Sequence, residues 1–321
     1  MERAVPPTPD AWAIAHAASR AIGNFDTEIP GRFALTADGS LQCVAGNGSD
    51  AVLRWNPATG WESTLPVEGP QRALLDLYLP ISSGTAARPV TIGHLGQSLD
   101  GFIATHSGDA ISVTGPENIL HLHRLRALCD AVVVGAGTVM ADNPRLTTRL
   151  VAGSNPARVI LDPACRLPAD HTVFTDQEAP TLRVCAAGSA AAAQARARGE
   201  RTLEVTACDG ALDLEDLLRQ LRALGYNRIF VEGGGVTVSS FLSAGLLDRL
   251  HIAIAPLLIG EGRPSIRLPP QARLQDCLRL QHRIYLAGND ILFDCDLRAS
   301  RSNGAANGHD RCSSSAVRRV L

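Results

Sequence analysis

Between residues 89 and 297 the hydrophobic positions fall in short runs separated by longer amphipathic stretches. The runs at 90–95, 131–134, 158–161, 182–186, 228–231, 250–255, 283–286 and 291–295 are rich in Val, Ile and Leu, as strands buried on both faces are. Helices are predicted at 117–128, 190–198, 214–224 and 237–244. The last two strands have no helix between them and are joined through Ala287-Gly288-Asn289-Asp290, a hairpin composition. The pattern predicts an α/β fold: a mostly parallel mixed sheet flanked by helices, with an antiparallel C-terminal edge.

Two zones lie outside that pattern. Residues 1–88 are rich in Pro, Gly and Trp, with apolar patches at 33–35 and 51–55 and a helix near 71–77, and read as a small irregular N-terminal appendage of unassigned function. Residues 298–321 are small, polar and patternless, and read as a disordered tail beyond the 89–297 domain. Within that domain, Thr114-Gly115-Pro116-Glu117 has the S/T-x-x-E spacing of a capping box. The helix it opens carries His121 and His123. Two residues apart, they point roughly 200° from each other, so a surface or packing role is expected rather than one shared metal.

Composition narrows the function. A chain of 321 residues with 45% hydrophobic content can bury a sizeable core. A net charge of −2, no long basic run and 4% aromatics give no electrostatic case for nucleic acid or a membrane surface as partner, which leaves small-molecule chemistry. Met1 to Asp10 lacks the features of a secretory signal and no run of about 18 apolar residues occurs, so a cytoplasmic location is expected. Cys43, Cys129, Cys165, Cys185, Cys208, Cys277, Cys295 and Cys312 include no C-x-x-C pair. They are expected to be buried thiols, and no metal site is predicted.

Two glycine-rich turns follow strands and precede helices: Val134-Gly135-Ala136-Gly137-Thr138 and Val231-Glu232-Gly233-Gly234-Gly235-Val236-Thr237. Glycines permit close backbone approach, and the free N–H groups of a helix start suit a dinucleotide pyrophosphate. Tight strand-to-helix turns need glycine in any case, and neither turn is a G-x-G-x-x-G or a P-loop. After the first turn, the loop Ala141-Asp142-Asn143-Pro144-Arg145-Leu146-Thr147-Thr148-Arg149 has the groups to bind a sugar phosphate, or it is merely solvated. Arg166, after the 158–162 segment, could meet a 2′-phosphate, with a solvated loop residue as the alternative. There is no G-x-S-x-G or H-E-x-x-H and no Cys–His pair. Hydride transfer fits such a site, because the cofactor brings the reactive atom.

The stretch Ser98-Leu99-Asp100-Gly101-Phe102-Ile103-Ala104, then Ser107-Gly108-Asp109, Thr114 to Glu117, His123-Arg124-Leu125-Arg126, Asp130 to Val139, Asp142, Pro144 and Leu146 to Arg149, resembles the C-terminal reductase domain of the bifunctional riboflavin-pathway deaminase/reductase. Val231 to Gly234, Leu246-Leu247-Asp248 and Ala255-Pro256 extend the resemblance over most of the middle zone. It implies a dihydrofolate-reductase-like fold, a homodimer, and NADPH-dependent reduction of the ribose of 5-amino-6-(5-phosphoribosylamino)uracil to the ribityl chain. It implies cofactor contacts at Gly135, Gly137, Thr138, Glu232, Gly233, Gly234, Gly235 and Thr237. On the substrate side it implies Ser98, Asp100, Arg126, Asp142, Leu146 and Arg149, with Arg126 a second phosphate partner. No acid or base is assigned.

The chain departs from the family at two places: Ala110-Ile111-Ser112-Val113 replaces a Ser-Gln-Trp-Ile-like run, and Asn143 replaces a second Asp. Both lie on the substrate side. Residues 1–88 offer no H-x-E or P-C-x-x-C, so no zinc deaminase is expected there. Two alternatives follow from the departures: a reductase of a related pyrimidine- or pterin-like metabolite, and a non-catalytic nucleotide-binding protein.

Overall fold

The computed structural model describes residues 10–45, 50–66, 70–111, 113–208 and 210–299. The chain opens with α1 (Ala11–Ala21), the strands β1 (Gly31–Leu35), β2 (Leu41–Cys43), β3 (Leu53–Asn56) and β4 (Gly60–Ser63), and α2 (Pro70–Ser82). Next come β5 (Val90–Ser98), β6 (Phe102–Thr105), α3 (Pro116–Leu128), β7 (Ala131–Gly135), α4 (Ala136–Asp142), β8 (Ala157–Leu161) and α5 (Thr172–Thr175). They are followed by β9 (Thr181–Ala186), α6 (Ala190–Ala197), β10 (Thr202–Val205), β11 (Ala207–Cys208), β12 (Ala211–Leu212), α7 (Leu214–Ala223) and β13 (Arg228–Glu232). The chain continues with α8 (Gly235–Ser243), β14 (Arg249–Ala255), β15 (Gly262–Pro264), β16 (Gln281–Ala287) and β17 (Asp290–Asp296).

Among the described residues, nine strands form one sheet in the order β10-β9-β8-β7-β13-β5-β14-β17-β16. Pairing is parallel from β10 to β14 and antiparallel from β14 through β17 to β16, as the hydrophobic pattern predicts. The β16–β17 hairpin pairs Ala287 with Asp290, and Gly288 takes a φ of 64° at the first turn position, which only glycine adopts without strain.

Alternate residues of the central strands serve opposite layers. Ile92, Val132, Val134, Ile160 and Phe230 face a cluster with Leu125 and Leu128 of α3, whereas Val133, Val159 and Val231 face Leu217, Leu218 and Leu221 of α7 and Phe241 of α8. α7 forms where Asp213 caps the N–H groups of Glu215 and Asp216 and the leucines recur at helical spacing.

The N-terminal segment corrects one expectation. It is not irregular: β2-β1-β3-β4 form an antiparallel sheet beside α1 and α2, around Phe33, Trp55 and Trp61. Short strands separated by Gly and Pro concealed this pattern. Its core is continuous with the first layer of the large sheet, because Trp12, Ile14, Leu75 and Tyr78 join the same cluster as Val132 and Phe230. Each large apolar side chain buried there contributes about 1.5–3 kcal/mol. Arg228 fastens the joint, donating to Ser19 O at 2.7 Å while paired with Asp130.

The capping box at the start of α3 does not form. Gly115 is the N-cap, no side chain caps the helix, and the Gly115 N–H donates to Asp290 at 2.7 Å. Thr114 Oγ1 instead accepts from Asn118 Nδ2 at 2.9 Å. The thiols also differ from expectation: Cys129, Cys185 and Cys295 are buried and Cys165 partly so, but Cys43, Cys208 and Cys277 are exposed on edge strands and loops. Cys312 and most of the expected disordered tail, residues 300–321, lie outside the described residues, while Arg298 and Ala299 are described and Arg298 pairs with Asp248.

Candidate active site

β7 and β13 are parallel neighbours, with Val133 opposite Val231, so the two glycine turns, about a hundred residues apart in sequence, emerge side by side. They border a cavity of about 940 Å³ past the carboxyl halves of β5, β7, β8 and β13. Open α/β sheets bind ligands in this position. Gly135, Gly137, Thr138, Glu232, Gly233, Gly234, Gly235 and Thr237 all line it.

Close packing requires glycine at two of these positions. A β-carbon at Gly135 would stand 2.7 Å from Oγ1 of Thr237, and one at Gly235 would stand 2.1 Å from the Ser265 carbonyl oxygen. Gly233 and Gly234 have φ of 67° and 69°, which lets the chain reverse into α8. No side chain caps α4 or α8, so N–H groups at both helix starts remain available beside the cavity. This cradle of backbone donors and bare Cα atoms fits a dinucleotide's pyrophosphate.

Asp142 and Leu146 also line the cavity. Burial pushes the Asp142 carboxyl up, and Arg263 opposes that shift. Leu146 is buried at a φ of 57°, a conformation side chains rarely adopt, which presses it into the cavity wall. Asn143 also has a positive φ, 40°, and its Oδ1 accepts from Thr172 N at 2.8 Å. Asn tolerates that conformation, so this departure from the family closes α4. Ser112 lies outside the described residues; Ala110 and Val113 beside it line the cavity.

Four expected substrate residues, Ser98, Asp100, Arg126 and Arg149, are not among those that line the cavity. Arg126 donates through Nε to Glu232 at 2.8 Å, pairs with the same carboxylate through Nη2, and donates through Nη1 to Thr147 O at 3.1 Å. Burial works against the Arg126 charge, but Glu232 outweighs it and raises the pKa. Its guanidinium thus binds the second glycine turn to the 146–149 loop. Arg149 is exposed, donates to Thr147 Oγ1 at 2.7 Å, and its backbone N–H donates to His123 Nδ1 at 2.9 Å. Burial, then the charges of Arg126 and Arg149, lower His123 to about 4, so it stays neutral as an acceptor. Ser98 donates to Asp100 at 2.5 Å, and Asp100 accepts from Gly260 N at 2.7 Å, bracing the loop after β14.

Sequence reasoning missed His94, Asn118, Arg263 and Arg267 in the cavity wall. A histidine within the apolar run of β5 was a usable signal for the first, since buried polar residues are the informative exceptions. The loop around Arg263 has no periodicity to read. Its guanidinium lies over Gly108, where a β-carbon would meet Nη2 at 2.6 Å. His94 is buried and bonds through Nε2 to Asn118 Oδ1 at 2.9 Å. Since Asn118 gives its amide to Thr114, His94 Nε2 is the donor. Burial and His251 hold His94 down near 3, neutral at ordinary pH.

Among the described residues, no cluster of three or more His, Cys, Asp or Glu is placed to hold a metal, and no helix is long and apolar enough to cross a membrane. Residues 89–292 match the RibD C-terminal domain family. The chain belongs to that family. It is an oxidoreductase of dihydrofolate-reductase-like fold with a nicotinamide cofactor. The chain is 35% identical over 213 residues to the 2,5-diamino-6-ribosylamino-4(3H)-pyrimidinone 5′-phosphate reductase of Methanothermobacter thermautotrophicus, covering 64% of this chain and 97% of that protein. It is also 35% identical over 179 residues to the riboflavin biosynthesis protein RibD of Aquifex aeolicus, covering 56% of this chain and 49% of that one. Among solved structures, Acinetobacter baumannii RibD aligns with a TM-score of 0.57 at 25% identity, covering 70% of this chain and 62% of the other.

Proposed function

We propose that this chain is an NADPH-dependent reductase of riboflavin biosynthesis that converts the ribosyl group of 5-amino-6-(5-phosphoribosylamino)uracil to the ribityl chain. The observation that carries the reading is the side-by-side placement of the two glycine turns on a cavity that Asp142, Leu146 and Arg263 also line. When bound, the dihydronicotinamide supplies the hydride that reduces C1′ of the opened sugar. Gly135, Gly137, Thr138 and residues 232–237 hold the cofactor through backbone donors. Asp142 takes sugar hydroxyls, and Leu146 packs on the pyrimidine side. Arg126, through Glu232 and Thr147, keeps the two walls in register. Arg166, at the cavity rim, meets the 2′-phosphate that separates NADPH from NADH.

A second reading concerns the ring. The Methanothermobacter thermautotrophicus relative, covered over 97% of its length, is named for the 2,5-diamino-pyrimidinone, which retains the amino group that the uracil has lost. Either ring fits the same reaction at the sugar. We further propose a cytoplasmic homodimer, with residues 89–297 as the reductase domain and the N-terminal segment docked on it. Incubating the protein with NADPH and each of the two phosphoribosylaminopyrimidines, and following NADPH absorbance, tests the reading. Oxidation with either ring, lost in Asp142→Ala, supports it; binding of NADPH without oxidation by either compound overturns it.

A further inference from the structure

After β8 the chain makes a tight turn from Asp162 to Leu167 before reaching β9. The Asp162 carboxylate accepts from the backbone N–H groups of Arg166 at 2.9 Å and Leu167 at 3.0 Å, and from Arg183 Nη1 at 2.6 Å. The Ala186 N–H donates to Pro163 O at 3.1 Å, pinning the turn against β9. Inside it Cys165 has a φ of 49°, a left-handed conformation unfavourable for any residue with a β-carbon. That conformation places its sulfur 2.8 Å from the sulfur of Cys185, which is buried on β9. Closing a disulfide to about 2.05 Å requires less than an ångström of further approach.

We propose that Cys165 and Cys185 are a site of reversible disulfide formation, and that the bond tunes cofactor binding through the turn that carries Pro163 and Arg166 into the cavity wall. Cys165 is partly exposed and is the sulfur a solvent oxidant reaches. Cys185 is held as a protonated thiol, pushed up to about 12 by burial and by the neighbouring Cys165. With hydrogen peroxide as oxidant, the Cys165 sulfur attacks one peroxide oxygen. An S–O bond forms, the O–O bond breaks, and water leaves after taking up the thiol proton. The Cys185 sulfur then attacks the resulting sulfenic sulfur. The S–S bond forms as the S–O bond breaks, and the Cys185 proton departs with the hydroxide as a second water. Two thiols have lost two electrons and the peroxide has gained them; a dithiol reductant reverses the step by exchange.

Only the effect on NADPH rests on the proposed function; the disulfide itself does not. The full chain is treated with hydrogen peroxide, alkylated without reduction, digested and weighed. The expected product is a peptide pair joining Cys165 to Cys185, lighter by two hydrogens and separated by a dithiol, while exposed Cys43, Cys208 and Cys277 report non-specific oxidation. Both thiols alkylated, or oxidation at the exposed cysteines alone, would overturn the proposal. NADPH titration of the oxidised and reduced protein then shows a several-fold difference in affinity that Cys165→Ser abolishes. Equal affinities in a cross-linked protein would refute the coupling to the cavity, and failure of NADPH to bind in either state would count against the reductase reading alone.

Discussion

Tyr78, on the N-terminal segment's second helix, bonds through its hydroxyl to Nδ1 of His121 in α3 at 2.7 Å. The chain runs on from His121 Nε2 to His251 Nδ1 at 3.0 Å, and from His251 Nε2 to Asp294 at 3.1 Å. Asp294 is held down at about 2; its burial would raise it, but His251 and Arg249 prevail. A carboxylate can only accept, so His251 Nε2 donates to it. One hydrogen-bonded chain therefore links the N-terminal segment, through the helix whose Asn118 faces the cavity, to the sheet's antiparallel edge.

Replacing Tyr78 by Phe keeps the packing against Trp12 and removes the first member of the chain. His121 Nδ1 is then a buried polar atom without its hydroxyl partner, which costs about 1–3 kcal/mol. Denaturant unfolding should show a lower midpoint with an unchanged slope. An unaltered midpoint would mean that the hydroxyl is not needed.

Stability should fall on acidification in two stages. His94, about 3 in the fold against 6.5 unfolded, binds its proton more readily in the unfolded chain, and so does His121, so stability declines as pH drops below 6.5. Asp294, with its folded value depressed from 3.8 to about 2, adds stability that is complete above 3.8 and is lost as pH falls toward 2. That contribution is about 2 kcal/mol. Urea unfolding at a series of pH values should show both stages, with His94→Gln flattening the first and Asp294→Asn the second.

Gly108 has a φ of 97° and lies under the Arg263 guanidinium. Gly108→Ala introduces backbone strain of about 1 kcal/mol and displaces that guanidinium. KM for the phosphorylated substrate should rise with the fold preserved by circular dichroism. An unchanged KM would remove Arg263 from the substrate wall.

The glycine turns can be tested as a pair. Gly135→Ala brings a β-carbon against Thr237 Oγ1 and should weaken NADPH binding by about tenfold, about 1.4 kcal/mol. Thr237→Ala in the same chain removes the clashing oxygen, so the double variant should bind better than Gly135→Ala alone. Simple additivity in the titrations would show that the two turns do not meet.

How much of this was legible in the sequence follows from what kind of signal each part leaves. The runs at 131–134 and 228–231 read as buried strands, and their pairing put two distant glycine turns together. Pairing of short strands such as β1 and β3 leaves little pattern, so the N-terminal sheet was missed. The cavity lining was legible where backbone shape mattered, at Gly135 and Gly233 to Gly235. Roles that depend on which partner a charge finds were not: Arg126 sits at the expected motif position, yet Glu232 and Thr147 take its guanidinium. His121 and His251 are 130 residues apart, and only the fold reveals that they touch.

The most direct test of the central claim is NADPH oxidation by the purified chain with a phosphoribosylaminopyrimidine as the only other substrate. The account predicts steady loss of NADPH absorbance, formation of the ribityl product, and loss of both in Asp142→Ala. NADPH that binds but is not oxidised with either the uracil or the diamino-pyrimidinone form would contradict it.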